Sequence, residues 1–282
     1  MSNDKTDRVA IFRLPQFAAG GPLPQATVPF RTTKANTVER FLDELECEAQ
    51  SHAAVRHPYL AALSTGNLPN PQAALRDFAT HYGCYCRDFT RYLCLTIARL
   101  ETPAHQALLT ENFLEESGTV EEEKWEILED QGIELAWVAG VPHKELYRRF
   151  QNAVSPLPND RYCIEAEIWR ATFLDLLNGA DGARAVGAIG LGTEGIVRFI
   201  YQPLAEACRR HPGLTRQEAV FFELHCLVDD DHAEALRQIA FDLAQTTSGR
   251  RNLRLGMHQS LGMRATFWEA MYRRALAMEV VQ

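Results

Sequence analysis

Apolar residues recur at spacings of three and four from about residue 36 to the end of the chain. Because each residue turns an α-helix by about 100°, this spacing keeps apolar side chains on one helix face. The aromatic residues of the segment 71–100 follow it closely: Phe78, Tyr82, Tyr85, Phe89 and Tyr92. No alternating strand pattern and no hairpin signal interrupts it. The pattern therefore predicts an all-α protein.

Proline and glycine residues mark the expected ends of the helices. Asn70 before Pro71, for example, fits an N-cap followed by proline at the first helical position. The predicted helices span about 37–55, 58–66, 71–100, 103–118, 120–139, 142–153, 160–178, 183–209, 215–245 and 252–278. No linker divides them, so we predict one helical bundle domain over residues 36–282. Residues 1–35 are rich in proline and glycine, which predicts an extended or partly disordered N-terminal arm.

Composition narrows the class of protein. Of 282 residues, 46% are hydrophobic and 23% are charged, which is typical of a globular domain. A net charge of −8 without a long lysine or arginine run argues against nucleic-acid binding. The chain has no apolar run long enough for a membrane span and no signal-peptide pattern. Seven cysteines without a Cys-x-x-Cys pair indicate reduced thiols, so we predict a cytoplasmic protein.

The segment 221–236 holds the strongest chemical signal. Relative to His225, Asp229 lies at about +40° and His232 at about −20° around a helix, so all three point the same way. Phe221 and Leu236 share this stripe, which predicts that it faces the core. Two imidazoles and a carboxylate on a buried face suit iron, manganese or zinc. The alternative is a polar stripe satisfied by internal hydrogen bonds.

A helical bundle closes such a site with inward-facing glutamates from other helices. Glu194 interrupts an otherwise small and apolar helix, where a lone carboxylate is costly unless it is paired or metal-bound. Glu115 lies one turn beyond Glu111, near the end of another predicted helix. A solvated surface glutamate is the alternative for each.

These segments together resemble a known family. The shared features are His57-Pro58-Tyr59-Leu60 with Gly66, the tyrosine-rich helix 82–92, the segments 111–118 and 191–194, and the closing His225-x3-Asp229-x2-His232. They are similar to the haem-oxygenase-like di-iron oxidases and oxygenases. That superfamily also holds pyrroloquinoline-quinone synthase-like and thiaminase II-like proteins. The resemblance covers about residues 45–245 and implies a single haem-oxygenase-like bundle with a metal site in its core.

The resemblance also implies a set of ligands and one departure from the family pattern. The implied ligands are Glu115, Glu194, His225, Asp229 and His232, with Glu116 as the alternative to Glu115. The family has a histidine shortly after the first glutamate, but residues 119–126 contain none. We expect Glu122 to substitute, with Glu123 or Glu126 as alternatives, whereas His143 is expected to cap the next helix. The site is then either a carboxylate-rich iron pair or a single iron on His225, Asp229, His232 and Glu194.

The activity that the resemblance implies is a dioxygen-dependent oxidation by non-haem iron. Two iron ions are expected, with one ion or manganese as alternatives. The partners are dioxygen and a small amino-acid-derived substrate of a biosynthetic pathway, and the protein is expected to be a homodimer. Arg87, Arg170 and Arg198 are candidate cations for a substrate carboxylate, and the candidate pocket walls are Tyr82, Tyr85, Tyr162 and Tyr201. The rival hypotheses are a metal-free enzyme with Cys163 or Cys226 as nucleophile, and a non-catalytic binding protein.

Overall fold

The fold, seen in a computed structural model, is built from helices joined by turns and loops. The structure describes residues 32–154 and 162–279. Its helices are α1 (Thr32–Ser51), α2 (Ala53–Arg56), α3 (Pro58–Thr65), α4 (Pro71–Cys86), α5 (Phe89–Ile97), α6 (Pro103–Glu116), α7 (Glu122–Asp130), α8 (Leu135–Val138), α9 (His143–Val154), α10 (Ile164–Gly179), α11 (Gly182–Val186), α12 (Val197–Arg210), α13 (Arg216–Leu243) and α14 (Thr247–Leu276). A π-helical turn, Gly187–Leu191, and a 3₁₀ turn, Glu194–Ile196, lie between α11 and α12. Those two ranges contain no strand, so the all-α prediction is confirmed for them.

Four of the predicted helices are broken in the structure. The segment 37–55 divides into the end of α1 and α2. The segment 71–100 divides into α4 and α5, and 120–139 divides into α7 and α8. The segment 183–209 divides into α11, the two turns and α12. The apolar period continues across each break because the pieces on both sides pack against the same core, so spacing alone does not reveal the break.

The first helix begins earlier than predicted. Helix α1 starts at Thr32, so residues 32–35 of the predicted arm belong to a helix. The remainder of the arm, residues 1–31, lies outside the described residues. In the part of the chain that is described, none of the helices combines the length and the apolarity that a bilayer span requires.

The core is built around the two longest helices, α13 and α14. Trp268 of α14 is fully buried and stacks on Tyr82 of α4, with ring centroids 5.5 Å apart. Tyr85 stacks on Trp169 of α10 at 4.1 Å. Fully burying one large apolar side chain contributes roughly 1.5–3 kcal/mol, so this aromatic layer is a main source of stability. It also forms one side of the site described next.

Helix α13 is held at its N-terminus by a capping box. The Glu218 carboxylate accepts from the Thr215 backbone N–H at 2.8 Å, and the Glu218 backbone N–H donates to the Thr215 hydroxyl at 3.3 Å. Such caps contribute about 1 kcal/mol. The inward stripe predicted for this helix is confirmed, since Phe221, His225 and Leu236 are all buried.

Candidate metal centre

Glu116, the last residue of α6, belongs to two groups of three potential metal ligands. In the first group it lies with His143 and His225, and in the second with Glu194 and His232. Within each group one ligand atom from every residue lies within 4.8 Å of the others. All five side chains are buried. Because a carboxylate has two oxygens, Glu116 has the chemistry to bridge two metal ions.

The two imidazoles of the first group surround the Glu116 carboxylate. His143 Nδ1 lies 3.0 Å from Glu116 Oε1, and His225 Nε2 lies 3.7 Å from the same oxygen. Burial would raise the pKa of Glu116, but the two histidines outweigh it and hold that pKa far below its usual range. Glu116 is therefore an ionised carboxylate, the form that coordinates a cation.

His225 is oriented by its own helix. Its Nδ1–H donates to the Phe221 carbonyl oxygen one turn earlier, at 2.6 Å. This bond occupies Nδ1, so Nε2, the nitrogen on the Glu116 side, is the one that would coordinate a metal. Metal-binding histidines are commonly held this way, with the second nitrogen donating to a carbonyl or carboxylate.

His232 has a corresponding partner in Glu115. Its Nε2–H donates to Glu115 Oε2 at 3.0 Å, and the same oxygen accepts from Lys124 Nζ at 2.6 Å. Because Nε2 is hydrogen-bonded to Glu115, Nδ1 is the ring nitrogen that would coordinate a metal. Glu115 thus contacts His232, a potential ligand, and is itself in neither group.

Glu194 carries the strongest sign of an unsatisfied site. Its side chain is buried, and its Oε1 has no hydrogen-bond partner among the described residues. Burial raises its pKa to about 7; nearby His232 lowers it, and the charge of Glu116 raises it. A buried carboxylate in this condition is costly unless a cation joins it.

The turns before α12 bring Glu194 into the core. Gly187 lies so close to α14 that an added Cβ would lie 2.1 Å from the Leu253 carbonyl oxygen. Thr193 Oγ1 donates to the Ala188 carbonyl oxygen at 3.0 Å and lies 3.1 Å from Ser260 Oγ of α14. π-helical turns often occur at functional sites, and here one directly precedes the segment that carries a candidate ligand.

A tight backbone contact brings His143 to Glu116. Gly118 has φ 104°, and a Cβ there would lie 2.8 Å from the Val141 backbone. The Gly140 backbone N–H donates to the Gly118 carbonyl oxygen at 2.9 Å. The chain therefore returns to the end of α6 after α7 and α8, and His143 at the start of α9 lies beside Glu116. His143 thus supplies a histidine beside Glu116, although residues 119–126 contain none.

The remaining predicted ligands have different positions. Glu122 is exposed at the start of α7 and belongs to neither group. Asp229 lies within α13, but its side chain is outside the described residues. The structure therefore brings Glu194, His225 and His232 together with Glu116 and His143, and leaves Glu115 and Glu122 outside both groups. The turn at Gly140 and Pro142, directly before His143, is the feature of the sequence that could have pointed to this residue. That turn approaches Gly118 only in the folded chain.

A pocket lies between the metal-binding groups and the aromatic layer. Its space, including the mouth to solvent, is about 400 Å³. Tyr82, Tyr85 and Tyr201 line it as predicted, whereas Tyr162 does not. The predicted cations Arg87, Arg170 and Arg198 do not line it either. A different arginine does, Arg264 of α14, which we did not predict.

The donor set fits iron. Three imidazoles and two carboxylates form two nitrogen–oxygen groups, and nitrogen–oxygen sets with histidine and carboxylate are the ligands of non-haem iron. A cation bound there would be the partner that Glu194 Oε1 lacks among the described residues. One ion would be held by Glu116, His143 and His225, and a second by Glu116, Glu194 and His232.

Comparisons with known proteins agree that the set of donor residues suits iron. Residues 76–265, more than half of the chain, match the sequence profile of a family described as iron-containing redox enzymes with a haem-oxygenase-like fold. No curated protein sequence matches the chain.

Several solved structures share the fold. A CADD-like protein of unknown function from Nostoc punctiforme superposes with a TM-score of 0.68 at 15% identity, over 86% of this chain and 100% of the other. A TenA homologue from Pseudomonas syringae pv. tomato gives 0.60 at 15% identity, over 91% and 99%. A domain of unknown function with a haem-oxygenase-like fold from Shewanella denitrificans gives 0.59 at 14% identity, over 88% and 94%. The predicted haem-oxygenase-like fold is thereby confirmed.

Proposed function

The chain belongs to the family of iron-containing redox enzymes, and we propose that it is a dioxygen-dependent non-haem iron oxidase or oxygenase with two irons around Glu116. The observation that carries the proposal is the sharing of the Glu116 carboxylate by two buried groups of three ligands. A single-iron centre has no need of a carboxylate between two such groups. The proposed substrate is a small amino-acid-derived molecule of a biosynthetic pathway.

When bound, ferrous iron would supply the electrons that reduce dioxygen, and carboxylate ligands favour the higher oxidation states that follow. The protein's own contribution is orientation. His225 is held by the Phe221 carbonyl oxygen and His232 by Glu115, so both rings are pre-oriented. Little reorganisation is then needed when the site is loaded.

The pocket wall supports an oxidation that is protected from bulk water. The Tyr201 ring lies 5.5 Å from the His225 ring, and its hydroxyl is 3.1 Å from that of Tyr82. Burial raises the pKa of Tyr82 to about 12, so this hydroxyl is protonated and can donate. A dry, aromatic wall beside the centre would limit side reactions with water.

The thiol-based alternative receives less support. Neither Cys163 nor Cys226 lines the pocket. Cys86 does, but burial raises the pKa of its thiol well above the usual value, which disfavours the nucleophilic thiolate.

The test is to load the full chain with ferrous iron without oxygen, count iron per chain, and record the optical spectrum on adding air. We expect about two irons and a transient visible band. About one iron would instead favour a mononuclear centre. A folded protein that binds no iron would contradict the proposal.

A further inference from the structure

Arg264 is a buried cation on the pocket wall. Its side chain is 1% exposed, and it lies on α14 at the end of the pocket formed by the aromatic layer. Its Nη1–H donates to the Tyr82 hydroxyl at 2.9 Å, and its Nε has no hydrogen-bond partner among the described residues. The guanidinium carbon lies 5.2 Å from the Tyr85 ring centroid and 5.1 Å from that of Trp169.

No carboxylate of the described chain forms an ion pair with Arg264, whereas Glu116 and Lys124, two other buried charged groups of the site, have ionic partners. Glu116 is paired with His143, and Lys124 with Glu115. Aromatic faces and one hydroxyl only partly replace the hydration of a guanidinium. Burying it without an anion therefore costs stability, unless an anion arrives from outside.

The metal centre does not need this charge. If two ferrous ions bind, as in the proposed function on which this inference rests, they add four positive charges to Glu116 and Glu194. A further cation on the same cavity then increases the excess of positive charge. This excess of positive charge favours an anionic ligand in the pocket. Arg264 matches a carboxylate in particular, because the planar guanidinium can donate two parallel hydrogen bonds to its two oxygens.

We propose that Arg264 is the specificity-determining residue that binds the carboxylate of the substrate at the inner wall of the pocket. The remainder of the molecule then packs against the aromatic and apolar lining, which includes Tyr85, Phe89 and Phe221. The substrate class is a small monocarboxylate with an apolar or aromatic body. Lys144 also lines the pocket, but it is exposed, so it offers a matched second cation at the mouth.

The test measures binding rather than turnover. Quenching of tryptophan fluorescence, for which Trp169 beside Arg264 is a reporter, gives the Kd of 3-phenylpropionate, L-phenylalanine and L-leucine. Each is compared with its primary amide, in ferrous protein without oxygen. We expect at least one acid to bind about tenfold or more tightly than its amide, since the amide leaves the buried guanidinium without an anion. Wild-type protein that prefers no acid over its amide overturns the proposal.

Substitutions show which residue is responsible for the preference for an acid over its amide. In Arg264→Gln we expect the acid-to-amide ratio to fall at least about tenfold, and in Lys144→Gln to stay within about twofold. Arg264→Lys keeps the charge but not the planar fork, so we expect part of the ratio to remain. If Arg264→Gln does not fold, as judged by its circular dichroism, the ratio in Arg264→Lys decides, and an unchanged ratio there overturns the proposal. A ratio that falls only in Lys144→Gln also overturns it.

Iron content separates this inference from the proposed function. Protein that binds two irons but shows no acid preference contradicts the role of Arg264 alone. Protein that binds no iron contradicts the proposed function, whatever the carboxylate preference.

Discussion

At the scale of single residues, His225 and His232 are each held by a hydrogen bond on one ring nitrogen. The Phe221 carbonyl oxygen holds the first, and the Glu115 carboxylate holds the second. Such partners fix the tautomer and the direction of the other nitrogen. The centre is therefore arranged by neighbours that are not themselves in the two groups of ligands.

His143→Ala tests which residue completes the first group. We expect iron to fall by about one per chain, because His143 lies 3.0 Å from the Glu116 carboxylate. Glu122→Gln is the matched control, since Glu122 is exposed and in neither group, and it should keep the wild-type iron content. Metal analysis after anaerobic loading gives both numbers. Loss of iron in Glu122→Gln with none in His143→Ala would restore the ligand expected from the sequence.

Glu194 predicts a pH dependence of stability in metal-free protein. Burial raises its pKa to about 7, above the ordinary value near 4.5 that it regains on unfolding. The folded state therefore binds the extra proton, so the free energy of unfolding should fall as pH rises from about 4.5 to 7. Glu194→Gln lacks this proton and serves as the comparison.

Urea unfolding with a chelator at pH 5.0, 6.0 and 7.5 measures this effect. The stability of wild type relative to Glu194→Gln should fall across the series by an amount on the order of 1–3 kcal/mol. A difference that stays constant with pH would count against a protonated, buried Glu194.

The choice between Glu115 and Glu116 shows why sequence alone could not complete the ligand set. Both are glutamates at the end of one helix, about 100° apart, and either fits the family pattern. Only the position of α9 and α13 around α6 distinguishes them. Glu194, by contrast, was recognisable because a carboxylate inside an apolar helix needs a specific reason.

At the scale of elements, glycine contacts bring separate parts of the chain to the centre. The end of α6 and the start of α9 are joined through Gly118, whose missing side chain lets the Val141 backbone approach. Helix α7 and helix α8 lie between them in sequence. This detour explains why no histidine in 119–126 is needed.

Gly118→Ala should disturb this junction. The alanine Cβ would lie 2.8 Å from the Val141 backbone and would also have a strained positive φ. Gly140→Ala is a matched control, with φ 72° but nothing within 4 Å of the added atom. We expect a loss of about 1 kcal/mol in the control and a clearly larger loss, with weaker iron binding, in Gly118→Ala. Equal effects in thermal unfolding and iron titration would contradict the role of the close contact.

The long helices were predictable, and the short irregular elements were not. Periodicity predicted α13 and α14 well, because each keeps one apolar face over many turns. It could not reveal the π-helical turn Gly187–Leu191, which depends on packing against α14. The irregular segment is the one that carries Glu194, so local departures from the helical pattern coincide with the site.

At the scale of the whole molecule, the candidate centre joins parts of the chain that are distant in sequence. Its residues come from α6, α9, the 3₁₀ turn before α12, and α13. The family and the fold were predictable because the closing histidine motif has a specific spacing. The homodimer, the cytoplasmic location and the extended or partly disordered arm, as far as it covers residues 1–31, stay predictions.

Metal should therefore stabilise the entire fold. At an iron concentration of 100 times Kd, binding to the native state alone adds about 2.7 kcal/mol per site. For a chain of this size we expect the Tm to rise by about 5 °C or more under anaerobic conditions. Mg²⁺, which prefers oxygen ligands, should have little effect. An identical Tm with and without ferrous iron would argue against a centre that ties these helices together.

The most direct test of the central claim compares the iron content of Glu116→Ala with that of Glu115→Ala at saturating ferrous iron. If Glu116 is shared by two metal ions, its loss should leave fewer than one iron per chain. Glu115→Ala should still hold about two, with weaker affinity, because Glu115 only orients His232. About two irons in Glu116→Ala, with loss in Glu115→Ala, would contradict the account.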